Sequence, residues 1–241
     1  MRLLILGGIG EALKLAHTLA SIHTVIYSIA GKGRIPNLPC QVRIGGFGGV
    51  DGLTTFLREN QVQLLIDCTH PYAAQISHNA LQAARQADIP LWAYRRPAWQ
   101  PMVGDDWRFA ADWSEIQFAL REFQRPFFTL GLEPLRHVTD IPSHQHWLVR
   151  CLAAESPISS HMTLLCATGP FTLEQESILL RKHRIDVLVA KNSGGGAVEA
   201  KLTAARKIAI PVIMFDRPRL PVADREFTES GSLTNALFFI G

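Results

Sequence analysis

The chain has 241 residues, of which 47% are hydrophobic and 19% charged, and its formal net charge is +3. This composition is ordinary for a globular protein with a substantial core, and the length suits one large α/β domain or two small ones. The charge is too small to indicate nucleic-acid binding, and no apolar run approaches the roughly 20 residues that a membrane span needs.

The cysteines and the start of the chain indicate where the protein works. The four cysteines lie far apart and form no Cys-x-x-Cys pair, so we expect no zinc site, no disulfide framework and a reducing compartment. The chain opens directly with an apolar strand, which leaves no room for a signal peptide. We therefore expect a cytoplasmic protein without a metal ion.

The first predicted unit is a strand, a glycine turn and a helix. A strand over residues 2–6 runs into Gly7, Gly8, Ile9 and Gly10, and a helix follows from about residue 12. In a Rossmann-type unit this turn holds the pyrophosphate of a dinucleotide, so we expect Gly7, Gly8 and Ile9 to contact a cofactor. The spacing is not Gly-x-Gly-x-x-Gly, and the motif alone is a weak signal.

The end of the next strand bears on which dinucleotide binds. A predicted strand over residues 24–29 ends about twenty residues after the glycines, where an NAD enzyme usually carries an acid for the ribose 2′-hydroxyl. This chain has Ser28 there, followed by Lys32 and Arg34 and by no carboxylate. Two cations suit a 2′-phosphate, which favours NADP(H) over NAD(H). The alternative is that both are solvated loop charges.

Two further turns follow predicted strands of the first half. A turn with four glycines follows the strand at residues 41–44, and its Gly46 either lines the cofactor or only turns the chain. Thr69 and His70 follow the strand at residues 62–67, at the same sheet edge as the first glycine turn, and we expect Thr69 to contact the cofactor. A structural role and a functional role for His70 carry about equal weight. Asp51 is the predicted N-cap of one helix, and Pro71 the predicted first turn of another.

Residues 95–101 hold two arginines and two prolines, which predicts a linker after a five-strand parallel half. We expect domains over residues 1–96 and 97–241. Strands and helices alternate again in the second half, where Thr172 is the predicted N-cap of a helix whose first turn is acidic. A last helix is predicted at about residues 232–239.

The most distinctive segment of the second half covers residues 185–211. Lys191 ends an apolar strand, and Asn192, Ser193 and Gly194 begin a glycine-rich turn before the next helix. Ligands bind at the carboxyl ends of parallel strands, and glycine N–H groups can approach an anion closely. Lys191 is therefore placed for a phosphate or a carboxylate. The alternative is an ordinary loop with one solvated lysine.

Short segments, spread in order over most of the chain, carry a family resemblance. They are LLILGG-x-x-EA from Leu3, GGFGG-x-DGL from Gly45, D-x-THPYAAQIS-x-NA from Asp67, RPAW from Arg96, GPFTLE-x-E from Gly169, LVAKNSGG from Leu188 and KL-x-AAR from Lys201. Together they resemble the precorrin-6A reductase family of cobalamin biosynthesis. That family usually has threonine after the first glycine pair, where this chain has Ile9, so we expect backbone contacts to the cofactor there and no hydroxyl contact.

The resemblance implies hydride transfer from NADPH, or from NADH in a cobalt-early pathway, to a conjugated tetrapyrrole, giving precorrin-6B. Such a substrate carries acetate and propionate carboxylates, for which Arg95, Arg96, Lys191 and Arg217 are the candidate cations. The reaction also needs a proton, which His70 or a bound water could deliver. The fold expected is α/β, with two Rossmann-like parallel-sheet halves and the ligands in a cleft between them.

A function of another class stays open at this point. A non-catalytic NADP(H)-binding sensor or regulatory subunit would keep the fold and the dinucleotide site without turnover. In either case we expect a small-molecule partner, no nucleic acid and no membrane, and a monomer or weak homo-oligomer.

Overall fold

The computed structural model describes residues 1–31, 35–152, 159–196 and 199–238. The chain forms two compact units. The first consists of Met1–Pro97 together with the segment that begins at Pro218, and the second is Ala98–Arg217.

Short strands alternate with helices throughout. The strands are β1 (Arg2–Leu6), β2 (Thr24–Ile29), β3 (Gln41–Ile44), β4 (Leu64–Asp67), β5 (Leu91–Tyr94), β6 (Trp107–Ala110), β7 (Pro126–Thr129), β8 (Trp147–Cys151), β9 (Met162–Cys166), β10 (Val187–Lys191), β11 (Val212–Phe215) and β12 (Arg225–Phe227). The helices are α1 (Gly10–Leu19), α2 (Gly49–Glu59), α3 (Ala74–Ala87), α4 (Trp113–Ala119), α5 (Leu173–Lys182), α6 (Ala200–Lys207) and α7 (Ser230–Phe238), with a 3₁₀ helix at Glu133–Asp140.

The first unit is built on a six-stranded parallel sheet in the order β3-β2-β1-β4-β5-β12. Leu3 and Ile5 of β1 pack on one face with α1 and α7, whereas Leu4 and Leu6 pack on the other face with α2 and α3. A strand alternates its side chains between two faces, so an apolar run fills both cores. The strand order reverses beside β1, which is the 3-2-1-4-5-6 order of a Rossmann sheet.

The second unit repeats this architecture with a parallel sheet in the order β9-β8-β7-β10-β11-β6. Phe128 and Val189 pack on one face of this sheet, and Phe127 and Leu188 on the other. Here the strand order reverses beside β7, between β8 and β10. The predicted fold class, α/β with two Rossmann-like parallel sheets, is confirmed.

The end of the chain departs from the predicted domain boundaries, which assigned all of residues 97–241 to one domain. Strand β12 pairs in parallel with β5, with Arg225 opposite Trp92, and α7 packs against α1. This segment therefore completes the first sheet. Ring contacts accompany the pairing, because the Arg225 guanidinium lies 4.6 Å from the Trp92 ring centroid and the Phe227 ring packs beside it at 5.3 Å.

Three predicted helix starts have different outcomes. Thr172 caps α5 in a capping box with Gln175, as predicted. Asp51 is not the N-cap of α2, because Gly48, with φ of 80°, precedes that helix and Asp51 lies in its first turn. Pro71 lies in a turn ahead of α3, which begins at Ala74. Within the described ranges, no helix has the length and apolar character to cross a membrane.

Candidate functional site

The reversal of strand order in the first unit brings two loops together. Leu6 at the end of β1 is paired with Asp67 at the end of β4, so the turn at Gly7 and Gly8 leaves the sheet beside the loop that carries His70. A Cβ atom placed on Gly8 would lie 3.7 Å from the His70 backbone nitrogen. Ligands of doubly wound sheets bind at this kind of crevice.

The two glycines of this turn are required for different reasons. A Cβ on Gly7 would lie 2.2 Å from the ring of Tyr27, so Gly7 makes room for that buried phenol. Burial raises the pKa of Tyr27 to about 12, opposed by a hydrogen bond with the Gly8 backbone. Gly8 itself has φ of 149°, which strains any other residue. Both glycines were expected to contact the cofactor, and the packing of Tyr27 against Gly7 has no signal in the sequence.

The start of α1 suits an anion. Ile9, the N-cap, has extended backbone and provides no side-chain hydrogen bond to the helix. Its side chain is 6% exposed and belongs to the core, so only its backbone can contact a ligand. The N–H groups of a first turn that lacks a capping side chain can bind a phosphate, favoured by the helix dipole. The Gly7 N–H is already engaged, since it donates to the Ser28 carbonyl at 2.8 Å.

Arg43 shapes the glycine-rich turn between β3 and α2. Its guanidinium donates to the carbonyls of Gly45 at 2.6 Å and Gly46 at 2.8 Å, and lies 3.8 Å from the Phe47 ring centroid. A Cβ on Gly46 would meet nothing within 4 Å. Space is therefore open at Gly46, while Arg43 holds the backbone around it. Arg43 was not among the predicted site residues, although an arginine two residues before a glycine turn is a signal that the sequence contains.

Asp67 organises the loop after β4. This fully buried carboxylate accepts hydrogen bonds from the Thr69 hydroxyl at 2.7 Å, from Ser77 at 2.7 Å and from Arg95 at 2.7 Å. The Thr69 backbone N–H also donates to it, at 3.1 Å. A buried carboxylate needs such partners, and together they fix the loop that presents His70. The Thr69 hydroxyl, predicted to bind cofactor, is thus bonded to Asp67.

His70 is half-buried in the turn ahead of α3. The Tyr72 backbone N–H donates to Nδ1 of His70 at 3.3 Å, and the two rings lie 5.7 Å apart. A ring nitrogen that accepts a hydrogen bond carries no proton, so the neutral imidazole keeps its proton on Nε2. The His70 carbonyl accepts from Ala73 at 2.8 Å and closes the turn.

The paired arginines at the start of the predicted linker have partners in the first unit. Arg95 binds Asp67, and its Nε lies 3.7 Å from a carboxylate oxygen of Glu226. Arg96 is largely buried and forms a hydrogen-bonded ion pair with Glu11 in the first turn of α1. This pair offsets the negative charge of Glu11 beside the helix start. Contact of either arginine with substrate stays a prediction.

The second unit places Lys191 at its own reversal of strand order. Ala190 is paired with Thr129 of β7, and the Lys191 ammonium donates to the Leu130 carbonyl at 3.1 Å. Burial lowers the pKa of Lys191, and the nearby Glu133 carboxylate opposes that shift. The ammonium is thus held at the carboxyl ends of two neighbouring strands, the edge predicted from the sequence.

The turn after Lys191 is tied to the start of the second unit. The Asn192 side-chain amide accepts from the Trp99 N–H at 2.8 Å and donates to the Trp99 carbonyl at 3.2 Å. Arg217 donates from Nε to the Asn192 carbonyl at 2.7 Å. The Ser193 N–H donates to the Lys191 carbonyl at 2.8 Å. Asn192 and Arg217, predicted as ligand contacts, therefore hold this turn in shape.

Three further predictions concern Gly194, the cations Lys32 and Arg34, and metal binding. Gly194 follows with φ of 67°, a left-handed conformation that favours glycine. Lys32 and Arg34, predicted to contact a 2′-phosphate, lie outside the described residues. Across the described residues no three His, Cys, Asp or Glu side chains cluster as a metal site.

Both sheets are parallel and have the Rossmann strand order. In the first, a glycine turn and an uncapped helix start lie where the strand order reverses. These features define an α/β protein of the dinucleotide-binding class. The sequence model of the family described as Precorrin-6x reductase CbiJ/CobK matches residues 2–237. The chain therefore belongs to the precorrin-6A reductase family, and membership of a reductase family implies a nicotinamide cofactor.

Individual relatives agree with this family. A precorrin-6A reductase of Rhodococcus erythropolis is 47% identical over 92% of this chain and 91% of its own length. A cobalt-precorrin-6A reductase of Salmonella typhimurium is 30% identical over 94% of this chain and 91% of its own length. The solved structure of CobK precorrin-6A reductase is 39% identical, with a TM-score of 0.91, covering 100% of this chain and 97% of that one.

Proposed function

We propose that this protein reduces precorrin-6A to precorrin-6B with a hydride from NADPH. Family membership over residues 2–237 carries the proposal, and the TM-score of 0.91 to a solved precorrin-6A reductase supports it. The precorrin-6A reductase of Rhodococcus erythropolis is 47% identical and the cobalt-precorrin-6A reductase of Salmonella typhimurium 30%. This difference favours the cobalt-free substrate.

A nicotinamide dinucleotide, when bound, supplies the hydride, and we propose that the first unit holds it. Gly7, Gly8 and the uncapped start of α1 would surround the pyrophosphate, with Ile9 contributing backbone alone. The open space at Gly46 supports a place for the cofactor beside this turn. The residues present fit the group, because Gly8 and the uncapped start of α1 provide backbone N–H groups where the strand order reverses.

The choice of NADPH rests on the two cations after β2. Lys32 and Arg34 follow Ser28 with no carboxylate nearby in the sequence, and a phosphate dianion is the group such a pair binds best. NADH is the cofactor expected for a cobalt-early relative.

We propose that His70 delivers the proton that accompanies hydride transfer. The Asp67 network fixes its loop, and the Tyr72 N–H leaves the ring proton on Nε2. For this the ring first takes up a solvent proton on Nδ1, in exchange for its hydrogen bond with the Tyr72 N–H. The imidazolium then transfers its Nε2 proton to the carbon next to the reduced position, which completes the addition of two hydrogens and leaves a neutral ring. A bound water is the competing donor.

We also propose that Lys191 contacts the carboxylates of the tetrapyrrole. Its ammonium is partly desolvated at a ligand-binding edge, which strengthens its attraction for an anion. Asn192, Ser193 and Gly194 remain candidate cofactor contacts, and Arg217, which holds this turn, remains a candidate substrate contact.

An anaerobic spectrophotometric assay tests the function. The protein should oxidise NADPH when cobalt-free precorrin-6A is present, and more slowly with NADH or with the cobalt-containing substrate. Dinucleotide binding without turnover of either substrate would contradict the proposal and favour the sensor.

We further infer a cytoplasmic monomer or weak homo-oligomer that binds no nucleic acid. All four cysteines are free thiols, which suits a reducing compartment. Sedimentation analysis at micromolar and higher concentrations measures the oligomeric state.

A further inference from the structure

The second unit contains a small cavity beside Lys201. The cavity has a volume of about 180 Å³, and Lys201 of α6 lines it together with Thr129, Arg150, Phe171 and Glu176. Thr129 is the last residue of β7, so the cavity opens near the carboxyl edge of the sheet, where the strand order reverses.

Lys201 is a buried cation. Its residue is 6% exposed, and burial lowers its pKa to about 8. Within the described part of the chain its ammonium donates no hydrogen bond, and the Trp99 ring centroid lies 5.6 Å away. Burying an ammonium without a hydrogen-bond acceptor is costly, so an acceptor in the cavity would remove a large part of that cost.

The neighbouring charges leave the cavity positive. Arg150 donates two parallel hydrogen bonds to Glu176, each of 2.7 Å, so these two charges neutralise each other. The guanidinium is also fixed between rings, 4.0 Å from the Phe171 centroid and 4.8 Å from that of Phe127. Lys201 therefore contributes one uncompensated positive charge to a preformed site.

We propose that this cavity binds the carboxylate of a short aliphatic arm, and that in the reaction the arm is an acetate or propionate group of the tetrapyrrole. The Lys201 ammonium binds the carboxylate, while the ring of Phe171 and the neighbouring apolar lining pack against the methylene groups. The substrate's identity rests on the proposed function; the carboxylate chemistry of the site does not.

The volume selects the size of the occupant. Sites for whole cofactors and drug-sized ligands take about 300–1,000 Å³, which is too large for this cavity. One carboxylate and one or two methylene groups fit.

The first experiment uses the intact protein with lysine labelled at ¹³Cε, and sodium propionate as the probe. The Lys201 signal, identified by its loss in Lys201→Met, should shift saturably at tens of millimolar propionate, as the few atoms of the probe permit. Propionamide, the neutral analogue, should leave it unchanged. The absence of a saturable shift, or an equal shift with propionamide, would overturn the carboxylate site.

The second experiment compares Lys201→Met with Lys207→Met, an exposed lysine at the end of the same helix. Lys201→Met should raise the KM for precorrin-6A about tenfold or more, with kcat within about twofold and the Kd for NADPH unchanged. Lys207→Met should match the unmodified protein. An unchanged KM, or a fall in kcat alone, would overturn the assignment of the substrate arm. Failure of the unmodified protein to reduce precorrin-6A would instead contradict the proposed function, and the propionate titration would still decide the site.

Discussion

The Lys191 ammonium donates a hydrogen bond to the Leu130 carbonyl across the end of the second sheet, at 3.1 Å. The bond joins β10 to the loop after β7, the two strands between which the sheet order reverses. The bond holds the ammonium at this edge of the sheet. A lysine held in this way is pre-organised for an anion at the sheet edge.

Lys191→Ala should lower kcat/KM for precorrin-6A by about tenfold to a hundredfold, because a charge-assisted contact typically contributes 1.5–3 kcal/mol. The melting temperature should change little, since the loss of one hydrogen bond is offset by the loss of a partly buried charge. Lys191→Arg should restore only part of the activity, because a planar guanidinium replaces a compact ammonium. Steady-state kinetics of both variants measure this.

The matched control is Lys182→Ala, at the exposed end of α5. It should have the kinetics of the unmodified protein. If Lys191→Ala also turned over normally, its role at the ligand-binding edge would be wrong.

His70→Gln tests the proton donor. Glutamine keeps an N–H donor but cannot exchange a proton, so kcat should fall by about a hundredfold or more. NADPH affinity should stay near that of the unmodified protein. A rate within about threefold of normal would show that a water supplies the proton.

Gly46→Val tests where the cofactor lies. A Cβ at Gly46 meets no atom within 4 Å, and the residue needs no positive φ, so the fold should tolerate the change. The added side chain should weaken NADPH binding by obstructing the space beside the first glycine turn. Gly231→Val, in α7 with equally open surroundings, is the control and should bind NADPH normally. If the two variants bound NADPH with equal affinity, the placement of the cofactor beside Gly46 would be wrong.

Replacing both Lys32 and Arg34 with alanine tests cofactor choice. Each contact with the 2′-phosphate should contribute about 1.5–3 kcal/mol, so the preference for NADPH over NADH should shrink at least tenfold. Fluorescence titration with both dinucleotides measures the ratio. If the unmodified protein bound NADPH and NADH equally, the predicted contact with a 2′-phosphate would be wrong.

Lys201 should make stability depend on pH in the alkaline range. Its pKa falls from 10.5 to about 8 on folding, so the unfolded chain binds more protons between these values and stability rises with pH there. Below pH 8 the buried charge costs on the order of 3 kcal/mol. Lys201→Met should therefore be more stable near pH 7, with an advantage that shrinks toward pH 10.5. An advantage independent of pH would contradict this.

The strands, the parallel sheets and the position of Lys191 could be predicted because they depend on local patterns. Apolar runs such as that of β1 fill both faces of a sheet, and turns with glycine must follow them. Strand β12 was missed because Arg225–Phe227 has three residues and no apolar run. Only its pairing with β5 makes it a strand.

The partners of charged residues could not be predicted in this way. Arg95 and Arg96 read as free cations, yet Asp67 and Glu11 bind them, and these carboxylates are distant in sequence. Lys201 is a charged residue that the packing of α6 buries, which no local pattern in the sequence indicates. Burial and pairing depend on the tertiary fold, which a single sequence does not specify residue by residue.

The return of the chain to the first sheet has a consequence for synthesis on the ribosome. Residues 98–217 form one continuous unit, and all of them are translated before β12. The second unit can therefore fold while the nascent chain is still growing, whereas β5 keeps an unpaired edge until the last segment emerges. Unpaired strand edges invite association with other chains. A chaperone that bound the β5 edge during this interval would prevent such association until β12 pairs with β5.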